Sequence, residues 1–134
     1  MNREIKRAKQ IFYNKRSNPA FTYFNERGID HFVKWFLSLD KKCCYCGIEE
    51  YKIKALFESG RLSTKRSRGK SLELERIDST SNQYTEMNCE LACYFCNNHK
   101  SDIITKEEHK KYFANSIRIY LEDLYCAIQQ TILK

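Results

Sequence analysis

Residues 72–102 read LELERIDSTSNQYTEMNCELACYFCNNHKSD, and this stretch decides the fold. Residues 72–77 alternate as a strand does: Leu72, Leu74 and Arg76 fall on one face, Glu73, Glu75 and Ile77 on the other. Asp78 to Asn82 is polar and turn-like. Residues 89–92 predict a second short strand that leads into Cys93. Cys93 and Cys96 form a Cys-x-x-Cys pair, and the segment from Asn97 to Asp102 is expected to start a helix.

A matching pair lies upstream, where Cys43 and Cys46 sit in KCCYCG, residues 42–47. Gly47 closes that knuckle, since a tight turn aiming backbone amides at sulfur favours glycine. Two such knuckles offer four thiolates to one zinc, and four sulfur ligands in a tetrahedron make a closed, structural site. Cys44, beside Cys43, leaves a Cys-x-Cys pairing with Cys46 open; the x-x spacing favours Cys43. The loop between the pairs exceeds that of a compact zinc ribbon and fits an inserted pair of strands better. Cys89 and Cys126 read as small buried residues.

The rest of the chain surrounds this core. Its 134 residues suit one domain, 1–134, with N-terminal helices over 1–40, a zinc-stabilised core over 43–102 and a C-terminal helix over 105–134. Residues 2–16 have helical apolar spacing, and Asn18-Pro19 breaks them. A second helix is expected over 26–39, with Ile29, Phe32, Val33, Phe36 and Leu37 as its stripe. A short helix over 49–59 ends at Gly60. Thr105-x-x-Glu108 is a capping box opening a long helix, with Phe113, Ile117, Tyr120, Leu121, Leu124, Ile128 and Ile132 on one stripe. That stripe predicts packing on the N-terminal helices or on a second subunit, the latter giving a homodimer. His31 and His109 read as surface residues.

Charge points to the partner. Lys and Arg number 24 against 17 Asp and Glu, a formal +7 at a sequence pI of about 9.0. Such a surface favours a polyanion, nucleic acid before an anionic membrane. Half of RLSTKRSRGK, residues 61–70, is Lys or Arg, which predicts a phosphate-contacting loop with Lys65, Arg66, Arg68 and Lys70. No apolar run is long enough for a membrane span, and MNREIKRAKQIF lacks a signal peptide's apolar core. Paired cysteines without an export signal favour metal over disulfides, and a reducing cytoplasm.

The order knuckle, spacer, strand, turn, strand, knuckle, helix, with LELERID, Tyr84, Asn88 and CYFCNNHKSD, resembles the HNH, or ββα-metal, endonuclease family. Within it the match is to the zinc-stabilised branch that includes recombination endonuclease VII and phage HNH nucleases. The resemblance implies an α+β fold: a small ββα-metal, treble-clef-like core held by a four-cysteine zinc site, with flanking helices. It implies phosphodiester hydrolysis in DNA with catalytic Mg²⁺ or Mn²⁺. Glu75 falls on the family's acidic metal ligand, Arg76 on the usual catalytic His, Asn88 on the middle Asn that orders the loop, and Asn97 on the final His/Asn position. Lys100 matches a basic residue expected to grip the DNA backbone.

Hard oxygen donors suit Mg²⁺, and Asp78 is a second carboxylate able either to bind metal or to cap the turn through Ser79–Ser81. Arg76 departs from the pattern: guanidinium stays protonated and cannot act as a base, though it suits a bidentate phosphate clamp. His99 is then the nearby candidate base. Glu75 also replaces Asp, which moves the carboxylate outward by one methylene. These two departures motivate an alternative, a zinc-stabilised DNA-binding module with weakened or lost catalysis. A protein-interaction adaptor using the C-terminal helix is a third reading.

Overall fold

The computed structural model describes residues 2–64, 68–78 and 83–133, without the side chains of 132 and 133. The chain divides into two compact units, one of residues 1–40 and 76–90, the other of 41–75 and 91–134.

In the first unit, α1 (Arg3–Lys15) is capped by Asn2, whose side chain accepts the Glu4 N–H at 2.7 Å. Its Ala8 and Phe12 are buried. At the expected break, Asn18 caps a 3₁₀ turn (Pro19–Phe21) by accepting the Ala20 N–H at 2.9 Å. The single helix expected over 26–39 is in fact two, α2 (Thr22–Arg27) and α3 (Ile29–Leu37). Gly28 parts them at φ 90°, a conformation that a side chain disfavours. Phe32 and Phe36 are buried as the stripe predicts, while Leu37, at the stripe's edge, is exposed.

The core here is aromatic. Phe12, Phe21, Phe24 and Phe32 meet at centroid distances of 5.0–5.8 Å, and each such pair adds about 0.5–1.5 kcal/mol beyond burial. Tyr84 joins this core, its ring 5.8 Å from Phe21 and its N–H on the Ala20 carbonyl at 2.9 Å. The segment after the first strand is thereby pinned to the helices.

That strand, β1 (Glu73–Arg76), pairs with β2 (Cys89–Ala92) in an antiparallel two-stranded sheet. The buried residue of β1 is Glu75.

In the second unit, α4 (Glu50–Glu58) buries Ile53, Leu56 and Phe57 and ends, as expected, before Gly60 at φ 80°. The buried Glu50 carboxylate accepts the Leu72 N–H at 2.7 Å, which anchors the approach to β1. The helix after the second knuckle, α5 (Tyr94–Lys100), begins before the expected Asn97. Its first turn is capped by the knuckle itself, because the Cys93 sulfur accepts the Cys96 N–H at 3.4 Å.

The capping box is present: Thr105 and Glu108 exchange hydrogen bonds of 3.1 Å at the start of α6 (Lys106–His109). A π turn over Lys110–Ala114 leads into α7 (Asn115–Leu133). Phe113, within that turn, and Tyr120, at the edge of the stripe, are exposed, while Ala114, Leu121 and Leu124 are buried. α7 packs on α4. Lys52 reinforces that contact, reaching Glu122 at 3.0 Å. Two further expectations change: His109 is fully buried, and Cys126 is exposed. No described helix is long and apolar enough to cross a membrane.

Candidate functional site

The four knuckle cysteines are buried together, with ligand atoms all within 4.8 Å of one another. Cys46 and Cys93 place their sulfurs 3.9 Å apart. A zinc–thiolate bond of about 2.3 Å sets tetrahedral sulfurs about 3.8 Å apart, so the cluster fits zinc. Backbone amides support the sulfurs, with the Tyr45 N–H on Cys43 at 3.4 Å.

Ionisation argues the same way. Hydrogen bonds from the other three thiols pull Cys43 far below the usual thiol range. Cys93 and Cys96 are pushed well above it, chiefly by their bonds to neighbouring sulfurs. Four thiolates this close need a cation between them. Cys44 stands outside the cluster and donates its N–H to the Leu91 carbonyl at 2.8 Å, so the pairing is Cys43 with Cys46. Gly47 has a structural reason: φ is 79°, and a Cβ there would meet the Arg118 guanidinium at 2.8 Å.

Next to the cluster lies the acidic face of β1. Alternation puts Glu73 and Glu75 on one face, and Asn97 and Lys100 share a face of α5 at i,i+3 spacing. The two faces meet. The Asn97 amide donates to Glu73 Oε1 at 3.2 Å. Arg68 grips the same carboxylate with Nε at 3.1 Å and Nη2 at 3.0 Å.

Glu75 is only 8% exposed, and its Oε2 has no hydrogen-bond partner among the described residues. Burial raises its pKa to about 7, offset in part by Tyr45 and by the charge of Lys100. The Tyr45 hydroxyl influences Glu75 without reaching hydrogen-bond geometry, and it too is unpartnered among the described residues. Burial, then Glu75, pushes that hydroxyl's own pKa strongly upward. His109 packs edge-on to Tyr45 at 5.2 Å, and its buried Nε2 lacks a described partner as well.

The family pattern places Lys100 on the DNA backbone. It is instead 2% exposed, with its ammonium 5.9 Å from the Tyr45 ring centroid. Its proper reading is a buried counter-charge. Sequence reasoning misses Glu73 and Tyr45, though the strand alternation and the position of Tyr45 inside the first knuckle point to both.

In the other unit, the Arg76 guanidinium lies over the Tyr84 ring at 4.7 Å. Lys15 of α1 lies over the same ring at 4.6 Å and donates to its hydroxyl at 3.2 Å. Asn88 orders the turn: its oxygen accepts the Asp78 N–H at 2.8 Å, and its amide donates to the Asp78 and Gln83 carbonyls at 3.1 and 2.9 Å. Ser79–Ser81, the expected turn partners of Asp78, lie outside the described residues.

The remaining candidates are dispersed. His99 sits with Nδ1 3.4 Å from that of His109 and its ring 4.4 Å from Phe113. Within the basic loop, Lys70 is exposed and Arg68 is engaged by Glu73. Lys65 and Arg66 lie outside the described residues. His31, exposed as expected, pairs with Glu86.

No family model matches the chain, and no curated protein matches it. Among solved structures it is similar to that of the rare-cutting HNH restriction endonuclease PacI, which is described by its mechanism of DNA perturbation. The two are 26% identical, with a TM-score of 0.63 over 90% of this chain and 80% of that one. The likeness carried by LELERID and CYFCNNHKSD therefore extends to three dimensions, and the chain has the HNH fold with the four-cysteine cluster that fits its zinc-binding branch.

Proposed function

We propose that this protein is an HNH-type endonuclease that hydrolyses phosphodiester bonds in DNA with Mg²⁺ or Mn²⁺, its zinc being structural. The observation that carries the reading is the buried carboxyl of Glu75. Its Oε2 has no partner among the described residues and its pKa is raised to about 7, on the strand face whose other carboxylate holds Asn97. A buried carboxylate in that state is destabilised unless a cation compensates it.

Glu75 and the Asn97 amide oxygen would hold the ion; both are hard oxygen donors. When bound, the divalent ion supplies charge neutralisation at the scissile phosphate and the leaving oxygen. The charge of Lys100 offsets part of the burial that raises the Glu75 pKa, and so favours its ionised form. Arg76 donates to the phosphate as a bidentate clamp and cannot take a proton. His99 is the proposed proton acceptor. Lys70, with Lys65 and Arg66, supplies charge for the DNA backbone.

The experiment is plasmid cleavage by zinc-loaded protein with Mg²⁺ or Mn²⁺, set beside Asn97→Ala and His99→Ala. Metal-dependent nicking that Asn97→Ala abolishes supports the reading; unchanged cleavage in His99→Ala would pass the base role to bulk solvent. A specific observation favours a second reading. Arg76 stands where the family has His, and it is occupied on Tyr84. The chain would then be a DNA-binding module without catalysis, binding duplex DNA with steep salt dependence and cutting it with no divalent ion.

A further inference from the structure

Glu73 is absent from the ligand set proposed above, yet it is the most tightly engaged carboxylate on β1. Arg68 donates to both its oxygens, with Nη2 at 3.0 Å from each and Nε at 3.1 Å from Oε2. The guanidinium lies 5.1 Å from the Tyr94 ring centroid, so an aromatic surface also holds it. Among the described residues the Asn97 amide also donates to it, at 3.2 Å from Oε1.

An ionised carboxylate only accepts hydrogen bonds. The atom that Asn97 turns toward Glu73 must therefore be its nitrogen. Which way an asparagine amide points is ordinarily ambiguous; here the chemistry of its neighbour decides it, and the oxygen is turned away from Glu73. A cation ligand needs that oxygen, never the NH₂.

We propose that Glu73 is a positioning residue: gripped by Arg68, it locks the Asn97 amide so that its oxygen is the atom presented to the divalent ion. The ion pair with Arg68 also keeps the Glu73 charge occupied, so that Glu73 itself does not compete for the cation. This rests on the reading of Asn97 as a ligand, and it gives Arg68 a role inside the protein in addition to any on DNA.

The test is direct Mn²⁺ binding to zinc-loaded protein, followed by electron paramagnetic resonance, in parallel with the Mn²⁺ concentration that half-saturates plasmid cleavage. Glu73→Gln keeps the shape but offers Asn97 either a donor or an acceptor, so the amide is no longer fixed. Its Mn²⁺ affinity should fall about 10–100-fold, the usual effect of losing an outer hydrogen-bond partner of a ligand. The cleavage rate at saturating Mn²⁺ should stay near that of the unmodified protein. Arg68→Gln should move affinity in the same direction by less, and it carries the test should Glu73→Gln not fold. Normal Mn²⁺ binding in Glu73→Gln, with binding lost in Asn97→Ala, would overturn the positioning role alone. Normal binding in Asn97→Ala would instead overturn the ligand reading beneath it.

Discussion

The Asn97 amide donates to Glu73 at 3.2 Å, while Glu75, two residues further along β1, is buried beside Tyr45 and Lys100. One strand face thus carries two carboxylates in opposite conditions. Glu73 is half-buried and hydrogen-bonded to Arg68 and Asn97; Glu75 is buried, and its Oε2 has no partner among the described residues. The difference sets Glu73, held by Arg68 and Asn97, apart from Glu75, whose pKa is raised by burial.

That difference is measurable as stability. The Glu75 carboxyl is raised to about 7 in the folded chain, against an ordinary 4.5. It favours folding below about pH 4.5, and that contribution is lost as pH rises through 7. Glu75→Gln should therefore be more stable than the unmodified protein at pH 8, by up to about 3 kcal/mol, and equal to it near pH 4. Urea unfolding of zinc-loaded protein without added Mg²⁺ measures this. Added Mg²⁺ should shrink the gap, because it stabilises only the carboxylate.

Lys100 should set the acid limb of activity. Its charge lowers the Glu75 pKa against the push of burial. Lys100→Met removes that charge, so Glu75 stays protonated to higher pH, and the acid limb of the cleavage profile should move upward. A profile that falls uniformly without shifting would mean that Lys100 serves only the fold.

Zinc should be structural and specific to four of the seven cysteines. Cys96→Ser or a strong chelator should unfold the unit that contains the cluster, since structural zinc contributes about 10–16 kcal/mol to small zinc domains. Cys44→Ser should retain one zinc per chain. Zinc content by elemental analysis with circular dichroism checks both.

His109 should contribute acid lability. Burial first, then the neighbouring His99, lowers its pKa, and Tyr45, Lys100 and Cys43 also face it. The unfolded chain takes up the proton near pH 6.5 while the folded chain resists, so stability is lost as pH falls through that range. His109→Gln should flatten this loss relative to the unmodified protein in thermal melts between pH 7 and 5.

Much of this is legible in the chain. Knuckle spacing, the alternation of 72–77 and the Thr105–Glu108 box are local signals, and each element forms at its place. What local pattern does not carry is which face the rest of the molecule covers. Alternation puts Glu73 and Glu75 opposite Leu72 and Leu74; that the Glu75 side is buried follows from α5, whose Asn97 and Lys100 meet it. Residue type assigns Lys100 and His109 to the surface, yet both pack around Tyr45. A π turn cannot be seen in a 3.6-residue count, and Phe113, which lies in it, is exposed. Gly28 is visible, but only its φ of 90° shows that it splits a helix.

The central claim, that β1 and α5 form a divalent-ion nuclease site on a zinc-held frame, is tested most directly by plasmid cleavage. Zinc-loaded protein should nick or cut plasmid DNA only with Mg²⁺ or Mn²⁺, and Asn97→Ala should abolish cleavage while keeping zinc and DNA affinity. Absence of cleavage with every divalent ion across duplex, branched and single-stranded DNA would contradict it, as would full activity in Asn97→Ala.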